Sequence, residues 1–186
     1  QPDFVDVICN LGTMLCGVER PAAALPHLER AAALAPSSIN AIQGCADALV
    51  HLKRWEEAGR YLAKWTRLCP RDAGAWLKTG EYHAKQEMWV EAVASFERAL
   101  KLCPGSFDAL NNLVSCLSSG GRNIEALYVL YRELRRHPGS AVTWSNIGCI
   151  WRKLGRQQPA LECFDKAVEI DPHFPNPVWG RSLCLT

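Results

Sequence analysis

Nine cysteines, five histidines and an adjacent carboxylate pair, Glu56-Glu57, are the residues of this 186-residue chain that could hold a metal, attack a carbonyl or move a proton. Their spacing argues against each use. No C-x-x-C pair occurs, and no Cys/His cluster has the ligand spacing of a zinc site. Most cysteines sit in apolar helical-looking stretches such as LVSCL and NIGCIW, where a thiol serves as a small hydrophobe in a reducing compartment. Cys69 and Cys103 precede equivalent prolines and are expected to stay unpaired. Glu56-Glu57 opens a helical stretch, where carboxylates favour the helix dipole. Neither H-E-x-x-H, G-x-S-x-G nor a glycine-rich phosphate loop is present. The histidines are scattered: His83 shares a helix face with Trp76 and Gly80 and reads as a packed core residue there, while His51 and His137 lie near helix ends and read as solvated. The chemistry left is that of amides and ammonium groups. Asn111 and Asn112 stand side by side early in a helix, where asparagine has poor propensity, and an amide can both donate and accept.

The elements that would position these residues are set by proline. Pro36, Pro70, Pro104, Pro138 and Pro172 are spaced 34 residues apart without an insertion. The period divides the chain into repeats 5–38, 39–72, 73–106, 107–140 and 141–174, which together make one domain over 5–174. Residues 175–186 are expected to begin a sixth helix pair or a truncated capping helix. Counted from the start of each repeat, position 4 is Ile8, Ile42, Trp76, Leu110 and Trp144. Position 8 is small in four of five, position 20 is always alanine, and position 24 is Leu28, Leu62, Phe96, Leu130 and Phe164. Apolar spacings of 3, 4 and 7 give two amphipathic helices per repeat. Pro21 and Pro159 fall at helix starts, where proline is tolerated. Pro26 lies deeper, so that helix is expected to start late or bend.

This pattern resembles the tetratricopeptide repeat family over nearly the whole chain, most strongly in AWLKTGEYHAKQEMWVEAVASFERALKLCP, residues 75–104. The resemblance implies an all-α, right-handed superhelical solenoid of antiparallel helix pairs. In it, first helices line a concave groove with positions 2, 5, 6, 9, 12 and 13. Position 6 is Asn10, Gly44, Lys78, Asn112 and Asn146. Superhelical arms such as that of O-GlcNAc transferase look similar, carrying an asparagine ladder there that grips peptide backbone. The groove set expected to bind peptide is therefore Asn10, Lys78, Asn111, Asn112, Asn146 and Arg152. The two-carboxylate clamp that holds chaperone tails matches only at Lys78, and chaperone-tail binding is rejected.

The expected function is a non-catalytic protein-interaction scaffold, with a protein or peptide as partner and no cofactor. The alternative is the substrate-recognition arm of a larger, O-GlcNAc-transferase-like enzyme. A net charge of +2 is too weak to argue for nucleic acid or an anionic membrane. No apolar run reaches membrane-spanning length and no signal-peptide pattern opens the chain, so the cytoplasm is the expected location. The chain starts at Gln1 and ends in NPVWGRSLCLT. Trp179 and Leu183 there would lack a covering helix, which leaves room for self-association through that end and suggests a piece of a longer protein.

Overall fold

The computed structural model describes residues 2–17 and 20–173. Among them the chain forms ten α-helices and no strand: α1 (Pro2–Gly17), α2 (Pro21–Leu34), α3 (Ile39–His51), α4 (Trp55–Leu68), α5 (Ala73–Lys85), α6 (Trp89–Leu102), α7 (Phe107–Ser119), α8 (Asn123–Arg136), α9 (Ala141–Lys153) and α10 (Gln157–Ile170). Trp179 and Leu183 lie outside the described residues. The chain divides inside α7 into two compact units, one ending at Asn112 and the other starting at Leu113.

Local chemistry starts and stops these helices at the 34-residue period. Two residues after each of four repeat prolines stands a short polar cap. Ser38 Oγ accepts from the Ala41 N–H, Asp72 Oδ1 from Gly74 at 2.8 Å, Ser106 Oγ from Ala109 and Ser140 Oγ from Thr143. Each cap satisfies an otherwise orphaned amide at the start of a first helix. Every second helix stops two residues before its proline. The intervening residue is extended, with φ between −126° and −139° at Ala35, Cys69, Cys103, His137 and Asp171. That is where the proline ring pushes its predecessor.

Four of the turns inside the pairs, those after α3, α5, α7 and α9, hold one residue in the left-handed region. Gly121 and Gly155 supply it at φ +77° and +72°, but Lys53 and Glu87 hold the same repeat position at φ 58°. The helix containing Pro26 does not start late: α2 begins at Pro21, in register with the other second helices. The proline cannot donate to the carbonyl of Ala22. Both residues are exposed, so the helix places its missing bond on the solvent face.

In the first unit, α1 packs on α2, α2 on α3, α3 on α4, and so on to α6. One core cluster joins Ile8, Leu25, Leu28, Cys45 and Leu49. A second joins Ile42, Ala46, Leu62, Trp65 and Ala75. The position-20 alanines are fully buried in all five repeats, which lets the paired helices approach closely. Position 8 sits under position 24. A methyl at Gly80 would fall 2.5 Å from the Phe96 ring, and one at Gly12 would fall 2.5 Å from Leu28. Trp65 is buried and donates its Nε1 proton to Asp72 Oδ2 at 3.0 Å, tying the end of α4 to the cap of α5.

In the second unit, α8 packs on α9 and α9 on α10. Here Gly148 lies beneath Phe164, which is buried with Ala160 against Cys149, Trp151 and Leu161. Arg122 forks onto Glu125 at 2.7 and 2.8 Å at the start of α8, as Arg54 does onto Glu57 in the first unit.

Candidate functional site

Tying first helices together along one surface requires polar side chains of successive first helices to meet there, and each unit shows such a meeting. In the first unit, Asp47 of α3 (position 9) lies 3.7 Å from Lys78 of α5 (position 6), and Glu81 lies 3.3 Å from the same ammonium. In the second, Lys153 of α9 donates to the Ser118 carbonyl of α7 at 2.6 Å and to its hydroxyl at 2.9 Å. Ser118 in turn donates to Asn123 Oδ1. Lys153 thus places a cation on the negative, C-terminal end of α7.

The electrostatics of the first meeting are those of a half-buried ion cluster. Burial pushes the Asp47 carboxyl above its ordinary range, outweighing the pull of Lys78 and His51. Burial works against the Lys78 cation too, but Asp47 and Glu81 together raise it above its ordinary value. Lys78 is therefore held as a cation whose charge is already matched by carboxylates. Asn10 on α1 is exposed. Asn111 and Asn112 on α7 are half-buried, as is Asn146 on α9, and Arg152 near the end of α9 is exposed.

Three expected groove positions are instead interior. Cys9 and Ser145 are buried, and Gly44 packs on Leu28 so closely that a Cβ there would fall 2.5 Å from Leu28 Cδ2. Gly44 explains a gap in the asparagine series, because no larger side chain fits at position 6 of the second repeat while Leu28 stands where it does. Ser145 keeps a buried hydroxyl with no hydrogen-bond partner. The side chains of Asp6, Thr13, Cys16 and Gly17, also expected in the groove, lie outside the described residues.

The remaining chemistry-bearing side chains take structural places. His83 was expected in the core and is half-buried. Its ring lies 5.2 Å from that of Tyr82, with Nδ1 3.4 Å from Ser95 Oγ. His51 and His137 are exposed at helix ends. Cys69 and Cys103 are both free thiols. Burial lifts the Cys45 thiol to about 12 and the Cys163 thiol to about 11, and Tyr61, hydrogen-bonded to Cys45, to about 12. These groups are poor nucleophiles at neutral pH. Among the described residues no three His, Cys, Asp or Glu side chains are grouped to hold a metal, and no helix is long and apolar enough to cross a membrane.

Three family models, each described as a tetratricopeptide repeat, match residues 17–78, 73–106 and 141–174. Among curated proteins, the chain is 24% identical over 119 residues to the tetratricopeptide repeat-containing protein trd-1 of Caenorhabditis elegans, covering 64% of this chain and 15% of that protein. It is 28% identical over 116 residues to the CTR9 homolog of Arabidopsis thaliana, covering 62% of this chain and 11% of that one. The chain thus spans only a small part of the curated relatives it matches. Among solved structures, it is similar to YrrB, described as a TPR protein with an unusual peptide-binding site, at 24% identity and a TM-score of 0.74 over 94% of this chain and 90% of that one. MamA aligns at 17% identity and a TM-score of 0.80 over 92% and 94%. A thermophilic TPR protein of Thermus thermophilus, TTC0263, aligns at 19% identity and 0.64 over 97% and 98%. At such identities the likeness carries the fold.

Proposed function

Because the chain belongs to the tetratricopeptide repeat family, whose fold is a scaffold for protein–protein interaction, we propose that it binds an extended peptide or a partner helix along the face built by its first helices. The observation that supports this most is the pairing of Asp47 with Lys78 across α3 and α5. It puts position 9 of one first helix beside position 6 of the next, on a surface that solvent reaches. The pairing of Lys153 with Ser118 in the second unit has the same character.

In this reading Asn10, Asn111 and Asn112 serve the first-helix face of the first unit, and Asn146 and Arg152 serve that of the second. The amides pair with peptide backbone, which needs no particular sequence in the partner. Lys78, matched by Asp47 and Glu81, contributes order to the surface rather than a free positive charge. The partner is a protein or peptide. Cysteines buried as small hydrophobes suit a reducing compartment, the cytoplasm in this reading. Since the chain spans so little of its curated relatives, the same surface serving as the substrate-recognition arm of a larger enzyme is the second reading.

The test uses peptides selected from a phage-displayed random library and measured by fluorescence anisotropy. A set of selected peptides should lose affinity when Asn112→Ala and Asn146→Ala are combined, at unchanged helix content by circular dichroism. If every selected peptide binds the double variant as it binds the wild type, the asparagine reading is wrong.

A further inference from the structure

The outer face of α8 is unlike a solvated face. Ile124, Tyr128 and Tyr131 follow one another at the i, i+4, i+7 spacing of a single stripe and are 67%, 68% and 38% exposed. The stripe lies opposite the buried Ala126, Leu127 and Leu130, at the centre of the water-facing side. Two other second helices use these repeat positions for polar or small residues: Glu56, Arg60 and Ala63 in α4, and Gln158, Glu162 and Asp165 in α10. Isolated exposed apolar residues are ordinary, but three in register on one helix are not.

Two further observations say what such a stripe would accept. First, Tyr131 is already held: Trp151 Nε1 of α9 donates to its hydroxyl at 3.2 Å. An aromatic ring fixed before binding loses little conformational freedom on contact, which suits it to anchor a partner. Second, the charge beside the stripe is positive. Arg132 and Arg135 are exposed. The carboxylates of the same helix are engaged, Glu125 by Arg122 at 2.7 Å and Glu133 by Arg136 and His137 at 3.9 and 3.6 Å. Tyrosine and arginine are the residue types in which binding energy concentrates at protein interfaces.

We propose that the outer face of α8, built on Ile124, Tyr128 and Tyr131 with Arg132 and Arg135 beside them, is a second docking surface, and that its occupant is an acidic amphipathic segment of a partner protein. The partner's apolar side chains cover the Ile-Tyr-Tyr stripe, and its carboxylates meet the two arginines, which match them in bidentate fashion. A nucleic acid would satisfy the arginines but would leave the aliphatic Ile124 without a counterpart. This surface is separate from the first-helix face proposed above and stands or falls independently of it.

The experiment pans the full chain against a phage-displayed library of random peptides of about 15 residues, long enough for a marginal helix, and measures the selected peptides by fluorescence anisotropy. One class of peptides is expected to place Asp or Glu around Leu, Phe or Trp at helical spacing. Its affinity should fall about tenfold or more on Tyr128→Ser and on Arg135→Glu, with no change on combined Asn112→Ala and Asn146→Ala. Ile124→Ser gives a second apolar variant, and circular dichroism checks that each keeps its helix content. Three results would overturn the proposal: selected peptides that none of the α8 variants weakens, binding to α8 only by poly(U) RNA at roughly 0.15 M salt, or a dimer in sedimentation equilibrium that Tyr128→Ser abolishes, which would make the occupant a second copy of this chain.

Discussion

Cys103, exposed just past the end of α6, and Cys45, enclosed in the first unit's core, are the same residue type in opposite surroundings. Burial, with the Tyr61 hydrogen bond working the other way, takes Cys45 to about 12, so it is a protonated thiol at any ordinary pH. Native protein treated with iodoacetamide should therefore be labelled at Cys103 before Cys45 and Cys163, which are labelled only after unfolding; peptide mass mapping reads the order, and early modification of Cys45 would contradict its placement. His83 gives a second expectation. Burial lowers its pKa below the ordinary 6.5, with the charge and backbone of Glu91 pulling the other way. A group whose folded pKa is depressed in this way favours the neutral ring. The stability this contributes is present above pH 6.5 and is lost as pH falls through the folded-state pKa. Between about pH 7 and 5 the Tm of the wild type should fall more steeply than that of His83→Gln, measured by calorimetry; parallel curves would show that burial of the ring is not linked to folding.

At the scale of the helix pair, the turn between first and second helix is strained where it lacks glycine. Lys53 and Glu87 hold a left-handed backbone that costs an L-residue roughly 1–2 kcal/mol. Glycine recovers part of this and gives some back in unfolded-state entropy. Lys53→Gly or Glu87→Gly should thus stabilise by about 0.5–1 kcal/mol, read from urea denaturation. Gly148→Ala tests the helix contact itself: a Cβ 2.7 Å from the Phe164 ring overpacks it and should destabilise by roughly 1–3 kcal/mol. The helix contact was legible in the sequence, because small residues at position 8 and large ones at position 24 recur with the period. The turn was legible only where Gly121 and Gly155 mark it; at Lys53 and Glu87, both exposed, backbone hydrogen bonds across the turn hold the same conformation and leave no compositional sign. Pro26 misled for a related reason. Its cost depends on whether the orphaned carbonyl faces water, and that is a property of the assembled unit.

At the scale of the whole molecule, each helix of the first unit packs on its neighbours in sequence, and first helices also touch one another, α1 with α3 and α3 with α5. Stability built from such local terms is shared out repeat by repeat. Thermal unfolding should then give a calorimetric enthalpy larger than the van't Hoff value, and a ratio of one would instead show a single all-or-none unit. The candidate site was legible in part. Periodicity marked the first-helix face on which Lys78 meets Asp47, but it could not say that Cys9, Gly44 and Ser145 turn inward, since neighbouring positions on one helix differ in burial by small rotations. The α8 stripe had a sequence signal in Ile124, Tyr128 and Tyr131, visible when outer positions are compared between repeats. The extended residue that precedes each proline bears on how such a chain can change length. One extra residue within a second helix would turn everything after it by about 100°, moving Tyr128 toward the interior and Leu130 toward water, whereas an added block of a full period restores every cap, turn and contact. A residue added inside a helix of this protein should therefore cost far more than an added whole repeat, so its length is expected to change in steps of the period.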